Sequence, residues 1–176
     1  MADMSDATAV SGVLITGPYG VGKSSVAVEL VTLLEEKGSH YGLVDVDFLG
    51  WFDVGAGDGS ELHRRTRAAN LTAVVGNFRA AGVRRFILAR SVRDHTELSE
   101  LAEAAGIPLR VAALRVPLAV VERRLSADPT EARQDDLRVA RQWYADSIGE
   151  GLAEIVLDND RPIRAVATEL LAWLGW

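Results

Sequence analysis

Short apolar runs alternate with stretches of helical periodicity along almost the whole chain. Residues 13–16, VLIT, form an apolar run that stops at Gly17, the pattern of a buried strand entering a turn. From Ser24 the spacing lengthens, and Val26, Leu30, Leu33 and Leu34 recur at helical intervals as far as Lys37-Gly38, a basic last turn with a glycine stop. YGLVDVDF at 41–48 reads as a second strand, which places Asp45 and Asp47, two residues apart, on the same side of it. WFDVGAGDGS at 51–60 is a glycine-rich loop, and Leu71, Val74, Val75 and Phe78 mark a helix ended near Gly82.

The second half repeats the alternation. RRFILARSV supplies a third strand at about 85–90; Asp94 and Glu97 have capping-box spacing, and Leu98, Leu101 and Ala105 give the next helix its apolar face up to Gly106. LRVAALRV is a fourth strand, and Pro117 opens a helix carrying Val121 and Leu125. The polar stretch SADPTEARQDD interrupts before another helix through Leu137 and Trp143. EIVLDN is a fifth strand, and Pro162 starts a last helix with Ile163, Val166, Leu170 and Leu174 on one face. Strands alternating with helices predict an α/β fold, a parallel sheet covered on both faces with its ligands at the carboxyl ends of the strands. With no internal repeat and no linker, residues 1–176 are expected to form a single domain.

Composition removes several classes of function. A hydrophobic fraction of 48% with 25% charged residues is that of a globular chain. The absence of cysteine excludes disulfides and thiolate-bound metals, and His40, His63 and His95 lack metal-ligand spacing. A net charge of −6 disfavours nonspecific nucleic-acid binding, so no nucleic-acid partner is expected. No apolar run approaches the roughly 20 residues a membrane span needs, and MADMSDATAV lacks the basic start and apolar core of a secretory signal. A cytoplasmic monomer or homodimer without membrane attachment is the expectation.

The specific chemistry lies in GPYGVGKS, residues 17–24, which fits the phosphate-loop spacing G-x-x-x-x-G-K-S. Glycines let backbone N–H groups crowd a phosphate where a β-carbon would obstruct them. Lys23 bridges terminal phosphates as a compact charge, the Ser24 hydroxyl is placed to ligate Mg²⁺, and the helix N-terminus adds positive potential. Gly17, Tyr19, Gly20, Val21, Gly22, Lys23, Ser24 and Ser25 are therefore the expected nucleotide contacts. The preceding apolar strand and following amphipathic helix supply the context that the motif requires.

On these residues and the order of elements, the chain resembles the P-loop kinases, the group containing adenylate kinase, adenylylsulfate kinase and gluconate kinase. The resemblance implies a P-loop NTPase three-layer sandwich with a five-stranded parallel sheet of order 2-3-1-4-5. It also implies an acceptor-binding region after strand two, here about 48–82, and a helical lid after strand four, here about 123–138. ATP and Mg²⁺ are the implied cofactors, and a small molecule is the implied acceptor.

An aspartate at the end of strand two either accepts a proton from an acceptor hydroxyl or orients it, and Asp47 is the candidate. Asp45, one pleat deeper, suits a magnesium-bound water. FILARS carries no acid where many P-loop proteins place a second magnesium ligand; Arg90 stands there instead, either to bind an anionic acceptor or to pair with Asp45 or Asp47. Trp51 offers an aromatic wall to the acceptor or packs in the core, and Arg67 and Asn70 are the helical residues placed toward it. The stretch ERRLSADPTEARQDD resembles the lid of nucleotide kinases, whose arginines neutralise charge on the transferring phosphoryl group; Arg124 and Arg133 are the positions that match, against a solvated helix face. The loop DNDRP at 158–162 lies where such kinases often cradle adenine, with Asn159 contributing mostly through its backbone.

The resulting expectation is an ATP- and Mg²⁺-dependent phosphotransferase acting on a hydroxyl of a small molecule. The alternative is a catalytically silent or slowly hydrolysing nucleotide-binding module, consistent with the missing acid on strand three. A GTPase switch would need an Asn-Lys-x-Asp signature for guanine together with Asp-x-x-Gly after a strand, and the chain has no Asn-Lys-x-Asp.

Overall fold

The computed structural model describes residues 9–53, 60–127 and 130–176. Five parallel strands, β1 (Ser11–Thr16), β2 (Gly42–Asp45), β3 (Arg85–Ala89), β4 (Leu109–Arg115) and β5 (Ile155–Asp158), form one sheet of order β2-β3-β1-β4-β5. Among the described residues six α-helices connect and cover them: α1 (Lys23–Glu36), α2 (Ser60–Ala80), α3 (His95–Ala105), α4 (Leu118–Ser126), α5 (Glu131–Ala145) and α6 (Ile163–Leu174). The sheet order expected from the resemblance is thus the one observed.

The strands read as apolar runs because both faces are buried, and the period of two sends alternate side chains to opposite layers. Val13 and Ile15 of β1, Ile87 of β3 and Leu114 of β4 join the core with α1, α4 and α6, which includes Leu30, Leu34, Val121 and Leu170. Leu14, Phe86, Leu88 and Val111, on the other face, pack with Leu71 and Val75 of α2 and Leu101 of α3. β1 lies between β3 and β4, with Val13 opposite both Ile87 and Arg110. The loop after Thr16 therefore leaves the middle of the sheet, at the point where the strand order reverses, the place where open α/β sheets bind ligands.

Helix ends follow local chemistry. Asp94 caps α3 by accepting from the Glu97 N–H at 2.9 Å, and the Glu97 carboxylate accepts from the Arg93 N–H at 3.1 Å, a reciprocal arrangement like the expected capping box. Pro117 is the residue before α4 rather than its first turn, and Pro162 stands likewise before α6. The polar interruption expected after α4 separates it from α5; residues 128 and 129 within it lie outside the described residues. Among the described residues no helix is long and apolar enough to cross a membrane.

One element differs from the sequence reading. β2 ends at Asp45, and Val46–Gly50 is a turn of 3₁₀ helix rather than a continuation of the strand to 48. Asp45 itself stops the strand, because its carboxylate accepts from the Asp47 N–H at 3.2 Å and caps the 3₁₀ turn. Asp45 and Asp47 are therefore not two residues of one pleated face. Helix α2 begins at Ser60, at the end of the glycine-rich loop expected at 51–60, and carries Arg67 and Asn70 as expected; Leu71 and Val75 are its buried residues.

Ile87 is fully buried at the centre of β3. Ile87→Ala is expected to lower unfolding free energy by about 2–5 kcal/mol in urea titrations, the range for a truncation that leaves a core cavity. A change under about 1 kcal/mol would mean that this strand is not packed between the two helical layers.

Candidate active site

The loop between β1 and α1 turns on glycines. Gly17, Gly20 and Gly22 have φ of 134°, 77° and 100°, values that residues with a β-carbon rarely adopt. At Gly17 a β-carbon would come to 2.7 Å from the Leu114 carbonyl oxygen, and at Gly22 to 2.6 Å from Asn159 Nδ2. No side chain caps α1, so the first-turn N–H groups of Lys23, Ser24 and Ser25 have no partner within the helix. A concave loop with unpaired N–H groups and a helix dipole behind it fits a phosphate chain.

Lys23 is buried beneath this loop, and its ammonium donates to the Gly17 carbonyl at 3.1 Å, the Pro18 carbonyl at 3.0 Å and Ser91 Oγ at 2.8 Å. Three acceptors match its three donors. Burial nevertheless pushes its pKa down to about 8, against the opposing pull of the Asp47, Asp45 and Asp136 carboxylates. The Tyr19 ring lies 5.3 Å from the ammonium, and burial raises its phenol above the ordinary tyrosine value, with Asp47 and Asp136 adding to the effect.

Ser24 Oγ donates to Asp45 Oδ2 at 2.8 Å. This pair, a hydroxyl beside a carboxylate at a strand end, supplies the hard oxygen donors that Mg²⁺ takes, and no group of three or more acidic or imidazole side chains able to hold a metal occurs among the described residues. One hydroxyl and one carboxylate with phosphate oxygens completing the shell is the arrangement such a set can support.

Asp47 sits at the start of the 3₁₀ turn, half-buried, with Oδ1 accepting from Arg90 Nη1 at 3.4 Å. Burial raises its pKa above the usual carboxylate value, and Asp45 adds to this, while Arg90, Lys23 and Arg67 oppose it. Of the two readings of Arg90, the ion pair with Asp47 is therefore formed. Its backbone also donates to the Ile15 carbonyl at 3.1 Å, which fixes the end of β3 against β1.

The residues expected from the sequence fall into groups. Tyr19, Lys23, Ser24, Asp45, Asp47 and Arg90 converge at the ends of β1, β2 and β3. Arg67 and Arg90 line a cavity of about 230 Å³ between α2 and α3. Asn70, by contrast, turns its side chain to the Leu49 carbonyl at 2.7 Å and so pins the 3₁₀ segment, and Trp51 is 79% exposed, stacked on Phe48 at 5.6 Å, so it packs in no core. Ser25 is an exposed residue in the first turn of α1.

On the far side of the loop, Arg124 donates to the Gly20 and Val21 carbonyls at 3.3 and 3.2 Å and to the Asn159 carbonyl at 3.2 Å. Asn159 is buried, and its side chain as well as its backbone is engaged, with Nδ2 donating to the Val21 carbonyl at 2.8 Å. Arg124 and Asn159 together fasten α4 and the end of β5 to the phosphate loop. Arg133 pairs with Asp136 at 3.2 Å within α5.

Two participants were not among the expected site residues. Ser91 follows β3 and holds the lysine, at the strand end where no acid stands; a lone serine after an apolar run gives no signal by itself. Asp136 acts on both Lys23 and Tyr19 by charge, and only the resemblance of RQDD to a kinase lid pointed to its surroundings.

No protein-family model matches the chain, and no curated protein matches it by sequence. Solved structures do. A sugar kinase from Janibacter superposes with a TM-score of 0.67 at 20% identity, covering 94% of this chain and 95% of that one. The APS kinase of Mycobacterium tuberculosis in complex with AMPPNP and APS gives 0.62 at 24% identity over 96% and 99%. The tunicamycin resistance protein of Deinococcus radiodurans gives 0.61 at 21% over 94% and 96%. Gluconokinase and shikimate kinase structures match as well. The chain shares its fold with these kinase structures.

The lysine's lowered pKa has a measurable consequence. An unfolded lysine titrates near 10.5, so from about pH 8 to 10.5 the unfolded state holds more protons here than the folded state, and this group makes stability rise with pH across that window. A phosphate chain at Lys23 favours the ammonium and pulls its pKa back up. AMPPNP binding at pH 8.5 should therefore take up protons, seen as a calorimetric enthalpy that varies with buffer ionisation enthalpy, and the uptake should vanish in Lys23→Met and fall away at pH 6.5. A buffer-independent enthalpy at pH 8.5 would contradict it.

Proposed function

We propose that the protein is a kinase that moves the γ-phosphoryl group of ATP to a hydroxyl of a small-molecule acceptor with Mg²⁺ present. The observation that carries this reading is Asp47, a half-buried carboxylate with a raised pKa, at the strand end beside the phosphate loop and close enough to Lys23 to act on its titration. A module that only binds nucleotide has no use for such a base across from the loop.

Each residue then has a task set by its position. The loop N–H groups and the α1 terminus hold the β- and γ-phosphates, and Lys23 neutralises charge that spreads over the transferring phosphoryl oxygens. Ser24 and Asp45 would hold Mg²⁺, which offsets phosphate charge and orients the chain. Asp47 accepts the acceptor's hydroxyl proton as the oxygen bonds to the γ-phosphorus and the bridging bond to the β-phosphate breaks. The raised pKa of Asp47 makes its carboxylate a better proton acceptor than an ordinary aspartate. Arg124 supports the loop from behind, and Arg133, one turn from Asp136 on α5, is the lid residue assigned to the transferring group.

Two substitutions separate binding from chemistry. Label transfer from [γ-³²P]ATP into a small-molecule extract should fall by roughly 10²–10⁴ in Asp47→Asn, the range for loss of a general base, while AMPPNP affinity stays within a few-fold. Asp45→Asn should instead raise the Mg²⁺ concentration needed for half-maximal transfer. Unimpaired transfer by the Asp47 variant would remove its role, and ATP hydrolysis without transfer to any acceptor would favour the slowly hydrolysing module.

A further inference from the structure

The cavity between α2 and α3 adjoins the proposed acceptor position. Val46, one residue before Asp47, lines it, as does Arg90, whose guanidinium bridges to the Asp47 carboxylate. Its volume, about 230 Å³, is below the roughly 300 Å³ at which pockets for drug-sized ligands begin, so it suits a compact group. Its apolar wall is Leu71 and Leu101.

The charges around it are unevenly matched. Arg64 is held by the carboxylates of Glu61 and Glu100, and the Glu97 carboxylate is occupied by the Arg93 N–H at the start of α3. Arg90 has Asp47. Arg67 lines the same cavity, half-buried, and makes no hydrogen bond or close ion pair among the described residues. Burial, and then the neighbouring charge of Arg90, pull its pKa below the ordinary arginine value, against the opposing pull of the more distant Asp47 and Glu97 carboxylates. Its backbone position is fixed, since α2 packs close at Gly50, where a β-carbon would meet Arg67 Cβ at 3.1 Å. A half-buried guanidinium with its donors unspent is costly unless something supplies acceptors, and planar carboxylates or tetrahedral oxyanions fit its fork.

Building on the kinase reading, we propose that the acceptor is a compact hydroxylated anion whose carboxylate or oxyanion group docks on Arg67 and Arg90 in this cavity and so presents its hydroxyl to Asp47. A neutral sugar or alcohol would leave Arg67 unpaired. The aligned anion also explains why Arg90 stands at the end of β3, since one guanidinium there reaches both the base and the acceptor.

Two experiments decide this independently of each other. With the nucleotide site saturated by AMPPNP and Mg²⁺, sulfate and acetate are titrated against the arginine Nε–H signals in NMR spectra. Saturable shifts of the Arg67 and Arg90 signals are expected, and in Arg67→Gln the dissociation constant read from the remaining Arg90 signal should rise roughly tenfold to a hundredfold, the scale of a lost charge-assisted bond. The exposed neighbour Arg65→Gln should leave the titration unchanged. In the second experiment a metabolite extract is fractionated by anion exchange at neutral pH and each fraction is tested for label transfer from [γ-³²P]ATP; acceptor activity is expected in the retained fractions. The salt step at which it elutes, repeated after phosphatase treatment, distinguishes a carboxylate from a phosphate ester. Transfer confined to the neutral flow-through, or no saturable shift at Arg67, would overturn the proposal while leaving the kinase reading in place. Saturable anion binding with no transfer in any fraction would instead remove the kinase reading and leave the anion site.

Discussion

A lysine ammonium buried under a glycine loop is the constraint to which the rest of the site answers. Lys23 needs three acceptors where no water competes, and it finds them in two loop carbonyls and Ser91. Those carbonyls belong to a loop that takes positive φ at Gly17, Gly20 and Gly22 and leaves β1 at the middle of the sheet. Ser91 is present because β3 lies beside β1 and the two strands end together, with the Arg90 N–H bonded to the Ile15 carbonyl. The sheet order, the glycine spacing and the serine after β3 are thus parts of one solution to holding a charge in a dry place.

The same position makes the lysine responsive. Three dipolar acceptors hold an ammonium less strongly than a phosphate chain does, and the carboxylates of Asp45 and Asp47 help it remain charged from outside the loop. The two acids then differ in use. Asp45 is committed to Ser24 and to the N–H of Asp47, whereas Asp47 has one long contact with Arg90 and remains accessible. Strand geometry alone would have made them equivalent. The switch from strand to 3₁₀ turn between them separates a carboxylate held against Ser24 of the loop from one left beside Arg90.

Much of the fold was legible because its strands are buried on both faces and its helices carry apolar stripes, so Val13–Ile15 and Leu30–Leu34 could be read by run length and period. The phosphate loop was legible because its glycines and lysine have fixed spacing. Helix α2 was half legible, since the turns near the site carry Arg64, Arg67 and Asn70 in place of apolar residues. Asn70 shows the limit of a helical-face argument: its spacing groups it with Arg67, yet the Leu49 carbonyl, brought near by the 3₁₀ turn, takes its side chain. Ser91 and the clamp of Arg124 with Asn159 depend on contacts between residues distant in sequence, for which periodicity carries no information.

The account rests on Gly17 to Ser24 being a seat for a magnesium-bound nucleoside triphosphate, with Lys23 beneath it. Calorimetric titration of AMPPNP into the wild type and Lys23→Ala, each with and without Mg²⁺, tests this most directly. The account predicts one saturable site per chain in the wild type, tightened by Mg²⁺, and at least a tenfold weaker site in the variant, whose circular dichroism and unfolding transition remain those of a folded protein. Absence of saturable binding in the wild type, or equal affinity in the folded Lys23→Ala variant, would contradict it.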